Sequence, residues 1–235
     1  MPLPALETAQ HLQHELYPNA QLMILGGSSS TQQTTSTSDL DLFVLDPSQP
    51  SSHRENIIYQ DWPVELFIYH TLETYYFYIN KDIQRGRPAL LRIVAEGQVI
   101  IQQESCAHIQ PNAQSLLQTG PPPWSDLQIE TARYMVTDLI DDLIGCTNPY
   151  EEIFIVQALS EELHQFLLRT NGHWIGRGKW IYRSLARWNQ EFANTYSHFF
   201  QQYYLTKQKE PLIQFVLDVL KPYGGKHFEG YVVGK

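Results

Sequence analysis

The chain has 235 residues, a net charge of −9 and only two cysteines, Cys106 and Cys146. That length suits one large domain or two small ones and buries roughly 70–75% of the unfolded surface, so no disulfide or structural metal is needed. The acidic balance excludes a general nucleic-acid binder, which shows a basic face. It suits a cationic small-molecule acceptor. A start unlike a signal peptide, no long apolar run and free thiols predict a cytoplasmic protein that does not engage a membrane. No Cys/His spacing suggests zinc.

In chain order, Leu6, Leu12 and Leu16 predict a helix over 4–16, stopped by Pro18. Strands are predicted near 21–25, 39–45 and 64–69, with a weaker one near 56–59. Leu72 to Arg85 reads as a helix rich in aromatics. Its Tyr75 to Tyr78 are expected in a core or interface, with stacking on a base as the alternative. Pro88 opens a further helix running to Glu96. Gly97 ends it, and Val99-Ile100-Ile101 forms a last short strand. Thr119-Gly120-Pro121-Pro122-Pro123 is a boundary, because three prolines continue neither a helix nor a central strand. Beyond it, helices are expected over 124–144, 150–170, 179–190, 192–206 and 209–220. Gly145 and Gly172 sit where helix ends take a left-handed residue. The stretch from Tyr223 to Lys235 carries four glycines and reads as irregular. The expected architecture is α+β, with a small mixed-sheet domain over 1–118 and an all-α bundle over 124–235.

The chemistry concentrates in Met23 to Leu45. A strand ends in Gly26-Gly27-Ser28, a polar loop follows, and a second strand opens with Ser38-Asp39-Leu40-Asp41. Side chains alternate along a strand, so Asp39 and Asp41 share one face and Leu40 and Leu42 the other. Adjacent carboxylates repel unless something positive lies between them. Mg²⁺ takes such oxygen ligands, together with phosphate oxygens. The Gly-Gly-Ser turn allows backbone N–H groups close to a phosphate. Glu65 interrupts the apolar run Trp62 to Tyr69 and is costly to bury alone. It joins the aspartates if its strand pairs beside theirs.

Gly27-Ser28, Ser38-Asp39-Leu40-Asp41-Leu42 and Val64-Glu65-Leu66, in that order, resemble the nucleotidyltransferase superfamily that includes DNA polymerase beta. The likeness is greatest to its minimal and antibiotic-modifying members, such as the kanamycin and streptomycin nucleotidyltransferases. The resemblance implies that Asp39, Asp41 and Glu65 hold Mg²⁺ and carry the catalysis, and that Gly27, Ser28 and Ser38 bind the nucleotide phosphates. It implies transfer of a nucleoside monophosphate, AMP from ATP, to a hydroxyl of a small-molecule acceptor such as an aminoglycoside-like antibiotic, with pyrophosphate released. An antibiotic-resistance role belongs to that expectation. A homodimer is also compatible, since several relatives dimerise to complete a cleft. The loop from Ser29 to Thr37 departs from the usual pattern. It holds neither Gly nor Arg, so its hydroxyls and amides would bind phosphate without charge.

Two groups in the helical part complete the candidate site. Asp138 and Asp142 lie one turn apart on one helix face and suit a cationic partner. Either could be the general base for an acceptor hydroxyl, with Asp142 placed among the catalytic residues and both among those binding the acceptor. A solvated acidic face is the plainer reading. Lys179, Arg183 and Arg187 recur every four residues in a stretch without acidic residues. Lys179 and Arg183 are therefore candidate nucleotide clamps, and pairing with an acidic helix is the alternative. Two other functions stay open: nucleotidylation of a protein acceptor, and a non-catalytic nucleotide sensor on the same fold.

Overall fold

The computed structural model describes residues 3–27 and 38–234. The chain forms two compact units, Met1–Gly120 and Pro121–Lys235.

The first unit is built on a five-stranded mixed sheet. Its strands are β1 (Leu22–Gly26), β2 (Leu40–Leu45), β3 (His53–Tyr59), β4 (Trp62–Tyr69) and β5 (Gln98–Gln102), in the order β3-β4-β2-β1-β5. Only β2 and β4 run parallel; the other three pairs are antiparallel. Gln60 and Asp61 both have positive φ, which matches the twist of a two-residue hairpin between β3 and β4.

Period-two alternation decides the two faces. Met23, Leu25, Leu40, Leu42, Val44, Val64, Leu66 and Ile68 form one face and bury against Ala9 and Leu12 of α1 (Ala5–Leu16). The opposite face carries Phe43 and Tyr69, stacked 5.5 Å apart. Tyr75 of α2 (Leu72–Arg85) meets Phe43 edge-on at 5.3 Å. Tyr75 is buried, as expected for the core, whereas Phe77 and Tyr78 are exposed with Lys81 over both rings.

Helix α3 (Ala89–Glu96) starts where the Asp82 carboxylate accepts from the backbone N–H groups of Leu90 and Leu91. Its Ile93 lies so close to β1 that a Cβ on Gly26 would come within 2.8 Å of it. Helix α4 (Ile109–Thr119) was not expected from the sequence. Pro111 falls in its first turn, where the missing N–H costs nothing. The polar residues of this segment have a structural use. Gln110 donates to the carbonyls of Val94 and Gly97, and Gln114 to that of Ala95, satisfying the end of α3.

The second unit contains α5 (Asp126–Gly145), α6 (Pro149–Thr170), α7 (Lys179–Trp188), α8 (Gln190–Thr206) and α9 (Glu210–Leu220). Ser125 and Gln128 form a capping box at α5, and Asn148 caps α6 ahead of Pro149. Asn189 ends α7 in extended conformation, and its side chain caps α8 by accepting from Phe192 N–H. Gly172 has the expected positive φ. Gly145 does not: α5 continues through it and leaves at Cys146, whose φ of −69° any residue adopts. The core is aliphatic and aromatic, centred on Val136, Ile140, Leu159, Leu163, Phe166 and Leu212. Lys209 bridges Glu152 at 2.5 Å and the Cys146 carbonyl, while Tyr203 Oη donates to Glu152. Among the described residues, the glycine-rich end forms no helix or strand beyond Tyr223; it lies on α5, with Tyr231 stacked on Tyr134 at 4.2 Å. Among the described residues, no helix is long and apolar enough to cross a membrane.

Candidate active site

The site lies on the α2-side face of the sheet in the first unit. Strand pairing places Gly26 opposite Asp41, and Asp41 opposite Glu65 in the parallel ladder. Residues in register share a face, so residues distant in sequence become one transverse row. Asp39 precedes β2 by one residue and, by alternation, lies on the same side as Asp41. The three carboxylates each bring an oxygen within 4.8 Å of the others, and all three residues are partly buried.

Gly27 closes the row. Its φ is +71°, a left-handed conformation that glycine adopts without strain. A Cβ there would fall 2.2 Å from Oδ2 of Asp41. The position therefore needs glycine twice over, once for backbone angle and once for the space the carboxylate fills. Three hard oxygen donors within 4.8 Å of one another fit a divalent cation of the Mg²⁺ type. Asp39, Asp41 and Glu65 would hold it.

Sequence reasoning missed one residue here. Arg54, on edge strand β3, ion-pairs with Glu65, and its guanidinium lies 4.7 Å from the Phe67 ring centroid. The β3–β4 register explains the contact. Asn56 stands opposite Glu65 and Arg54 opposite Phe67, so Arg54 reaches Glu65 on the diagonal. The signal was faint, because only the apolar end of this strand, near 56–59, stands out in the sequence.

Ser38 is partly buried just ahead of Asp39. Ser28 and the loop up to Thr37 lie outside the described residues. In the second unit, Asp138 and Asp142 are exposed on α5, one turn apart, and the neighbouring Asp141 pairs with Lys226 of the glycine-rich end. Lys179 and Arg183 sit one turn apart on α7, with Arg183 and Arg187 both packed over Trp180 at 5.1 and 5.6 Å. An open groove of about 470 Å³ is lined by residues of α6, α7 and α8, including Ser160, Tyr182, Tyr196 and Phe200. None of the nominated residues lines it.

Compared by sequence, the chain matches no protein-family model and no curated protein. Among solved structures it is similar to a nucleotidyltransferase-like protein from Exiguobacterium sibiricum 255-15, at 15% identity and a TM-score of 0.46. That likeness covers 92% of this chain and 73% of the other.

Proposed function

We propose that the chain is a nucleotidyltransferase that transfers a nucleoside monophosphate from a nucleoside triphosphate, ATP in the first instance, to a hydroxyl acceptor. The observation that carries this is the convergence of Asp39, Asp41 and Glu65 beside a glycine whose missing side chain leaves room for Asp41. A structural sheet has no use for three acids within 4.8 Å of each other on one face.

In the reaction, an acceptor oxygen attacks the α-phosphorus. The bond between that phosphorus and the bridging oxygen to the β-phosphate breaks, and pyrophosphate leaves with the electron pair. The acceptor proton passes to a base. Bound Mg²⁺ would neutralise charge on the phosphates and on the reacting oxygens. Asp39 and Asp41 would hold that cation, and Glu65 would complete the donor set. Gly27 sets the close approach of backbone to Asp41, and Ser28 and Ser38 provide uncharged phosphate contacts. In the second unit, Asp142 and Asp138 are the proposed acceptor-side carboxylates, with Asp142 first as base. Lys179 and Arg183 are its proposed phosphate-binding cations. A small cationic acceptor of the aminoglycoside class agrees with the net charge of −9.

The test is pyrophosphate release from each common NTP with Mg²⁺ against a panel of aminoglycosides, lincosamides and cell-extract metabolites. Acceptor-dependent release that disappears in Asp39→Asn and Asp41→Asn is the expected result. Turnover unchanged in both variants would sink the assignment. NTP binding without turnover on any acceptor in the panel would favour a protein acceptor or a sensor instead.

A further inference from the structure

Three carboxylates in one row repel each other, and the structure shows a cation already placed on one of them. Arg54 bonds to Glu65 from the neighbouring strand and rests on the Phe67 ring. The Arg54 side chain is 56% exposed, against 25% for Glu65. A water-exposed ion pair contributes little to folding, so stability alone does not account for it. Two further facts bear on its use. A carboxylate has about four lone-pair sites, and a guanidinium has five N–H donors in a rigid fork. The loop from Ser29 to Thr37, which follows the phosphate-contact turn, carries no Lys or Arg.

We propose that Arg54 is the exchangeable counter-ion of this site. Without a metal it neutralises Glu65 and holds its carboxylate in the row. When a divalent cation and nucleotide enter, its charge opposes the cation and its free donors take a phosphate oxygen, supplying the cationic contact that the loop lacks. Arg54 thus tunes metal affinity downward and nucleotide affinity upward. The inference rests on the nucleotidyltransferase reading and assigns a residue that the carboxylate motif does not include.

The role gives two readouts that move in opposite directions. Removing a unit positive charge that shares a carboxylate with a divalent ion, in a water-like dielectric, corresponds to about a tenfold change in affinity. Titration calorimetry of Arg54→Gln with Mn²⁺ alone is expected to show binding about tenfold tighter than wild type. ATP binding in the presence of saturating Mn²⁺ is expected to weaken, by about tenfold for the loss of a charge-assisted phosphate contact. Arg54→Lys keeps the charge, so its Mn²⁺ affinity should stay near that of wild type, and it gives a second reading if the Gln variant folds poorly. A purely structural Arg54 would instead weaken both ligands together, with a lowered melting point.

Unchanged or weaker Mn²⁺ binding in Arg54→Gln overturns the proposal. So does tightening of the same size in Arg54→Lys. If wild type binds Mn²⁺, and Asp41→Asn abolishes that binding while Arg54→Gln leaves it unchanged, only the role of Arg54 fails. If wild type binds no Mn²⁺, the nucleotidyltransferase reading fails and this inference with it.

Discussion

The two units carry their acidic residues in opposite ways. In the sheet unit, Asp41 and Glu65 come from different strands, and register alone makes them neighbours. In the helical unit, Asp138, Asp141 and Asp142 come from one helix and stay exposed on it. A helix spreads like charges over its surface, where solvent screens them at small cost. A sheet row offers no such dispersal, so the charges need a counter-ion. The sheet unit has Arg54 beside Glu65. Forced crowding of charge is therefore a stronger sign of chemistry than acidic composition.

This contrast can be broken or sharpened by substitution. The largest effect on stability should come from Leu163→Ala, in the buried core of the helical unit. It should cost about 2–5 kcal/mol in urea unfolding, while Mn²⁺ binding at the sheet row stays unchanged in whatever fraction remains folded. Asp41→Asn should do the reverse. We expect pyrophosphate release to fall at least about a hundredfold, the scale seen when one electrostatic contact to a transition state is removed, with the melting point nearly unchanged. Loss of fold rather than activity would contradict a catalytic role. Gly27→Ala lies between these two. Left-handed backbone strain of about 1–2 kcal/mol, added to the clash with Asp41, should lower both the melting point and Mn²⁺ affinity.

The smaller effects concern ionisation in the helical unit. The Lys209 ammonium bonded to Glu152 holds its carboxyl below the usual carboxylate range, with Tyr203 adding to the effect. A lowered folded value means that the unfolded chain takes up the proton first. The stabilisation is complete above the ordinary carboxylate value and is lost as pH falls through the lower folded one. Burial lowers the imidazole of His164 in the same sense, so protonation of the unfolded chain begins to reduce stability below about pH 6.5. Urea midpoints measured from pH 7 down to 3 should therefore fall in two stages. Glu152→Gln should flatten the lower stage and leave the upper one. Smallest of all, Asp138→Asn should change stability by less than about 0.5 kcal/mol, as for an ordinary surface position. A large loss of turnover in the same variant would mark Asp138 as part of the acceptor site rather than a solvated face.

Much of the sheet unit was legible before its structure. The strands, the turn at Gly26-Gly27 and the side shared by Asp39 and Asp41 follow from alternation and from the cost of a lone Glu65 in an apolar run. The pairing register was not legible, and it is register that sets Asp41 against Glu65 and brings Arg54 across from β3. Local pattern carries no information about which distant strand lies alongside. Helix α4 was missed for a related reason. Gln110 and Gln114 look like solvated polar residues until the carbonyls at the end of α3 are seen beside them. In the helical unit the expected helices are present, because helical period is a local property. Asn189 shows where that reading blurs: one residue serves as the end of α7 and the cap of α8, so the break falls two residues ahead of the one expected at 191.

The row Gly26–Asp41–Glu65 also has a bearing on the order of assembly during synthesis. All of its members, and Arg54 with them, are on β1 to β4, whereas the antiparallel partner on the other side of β1 is β5, ending at Gln102. At roughly 5–20 residues per second, the ribosome synthesises β1 to β4 a few seconds before β5. Until β5 is made, β1 lacks its antiparallel partner on that side. A counter-ion encoded on β3 arrives with the carboxylates it neutralises, ahead of any need to recruit one from solution.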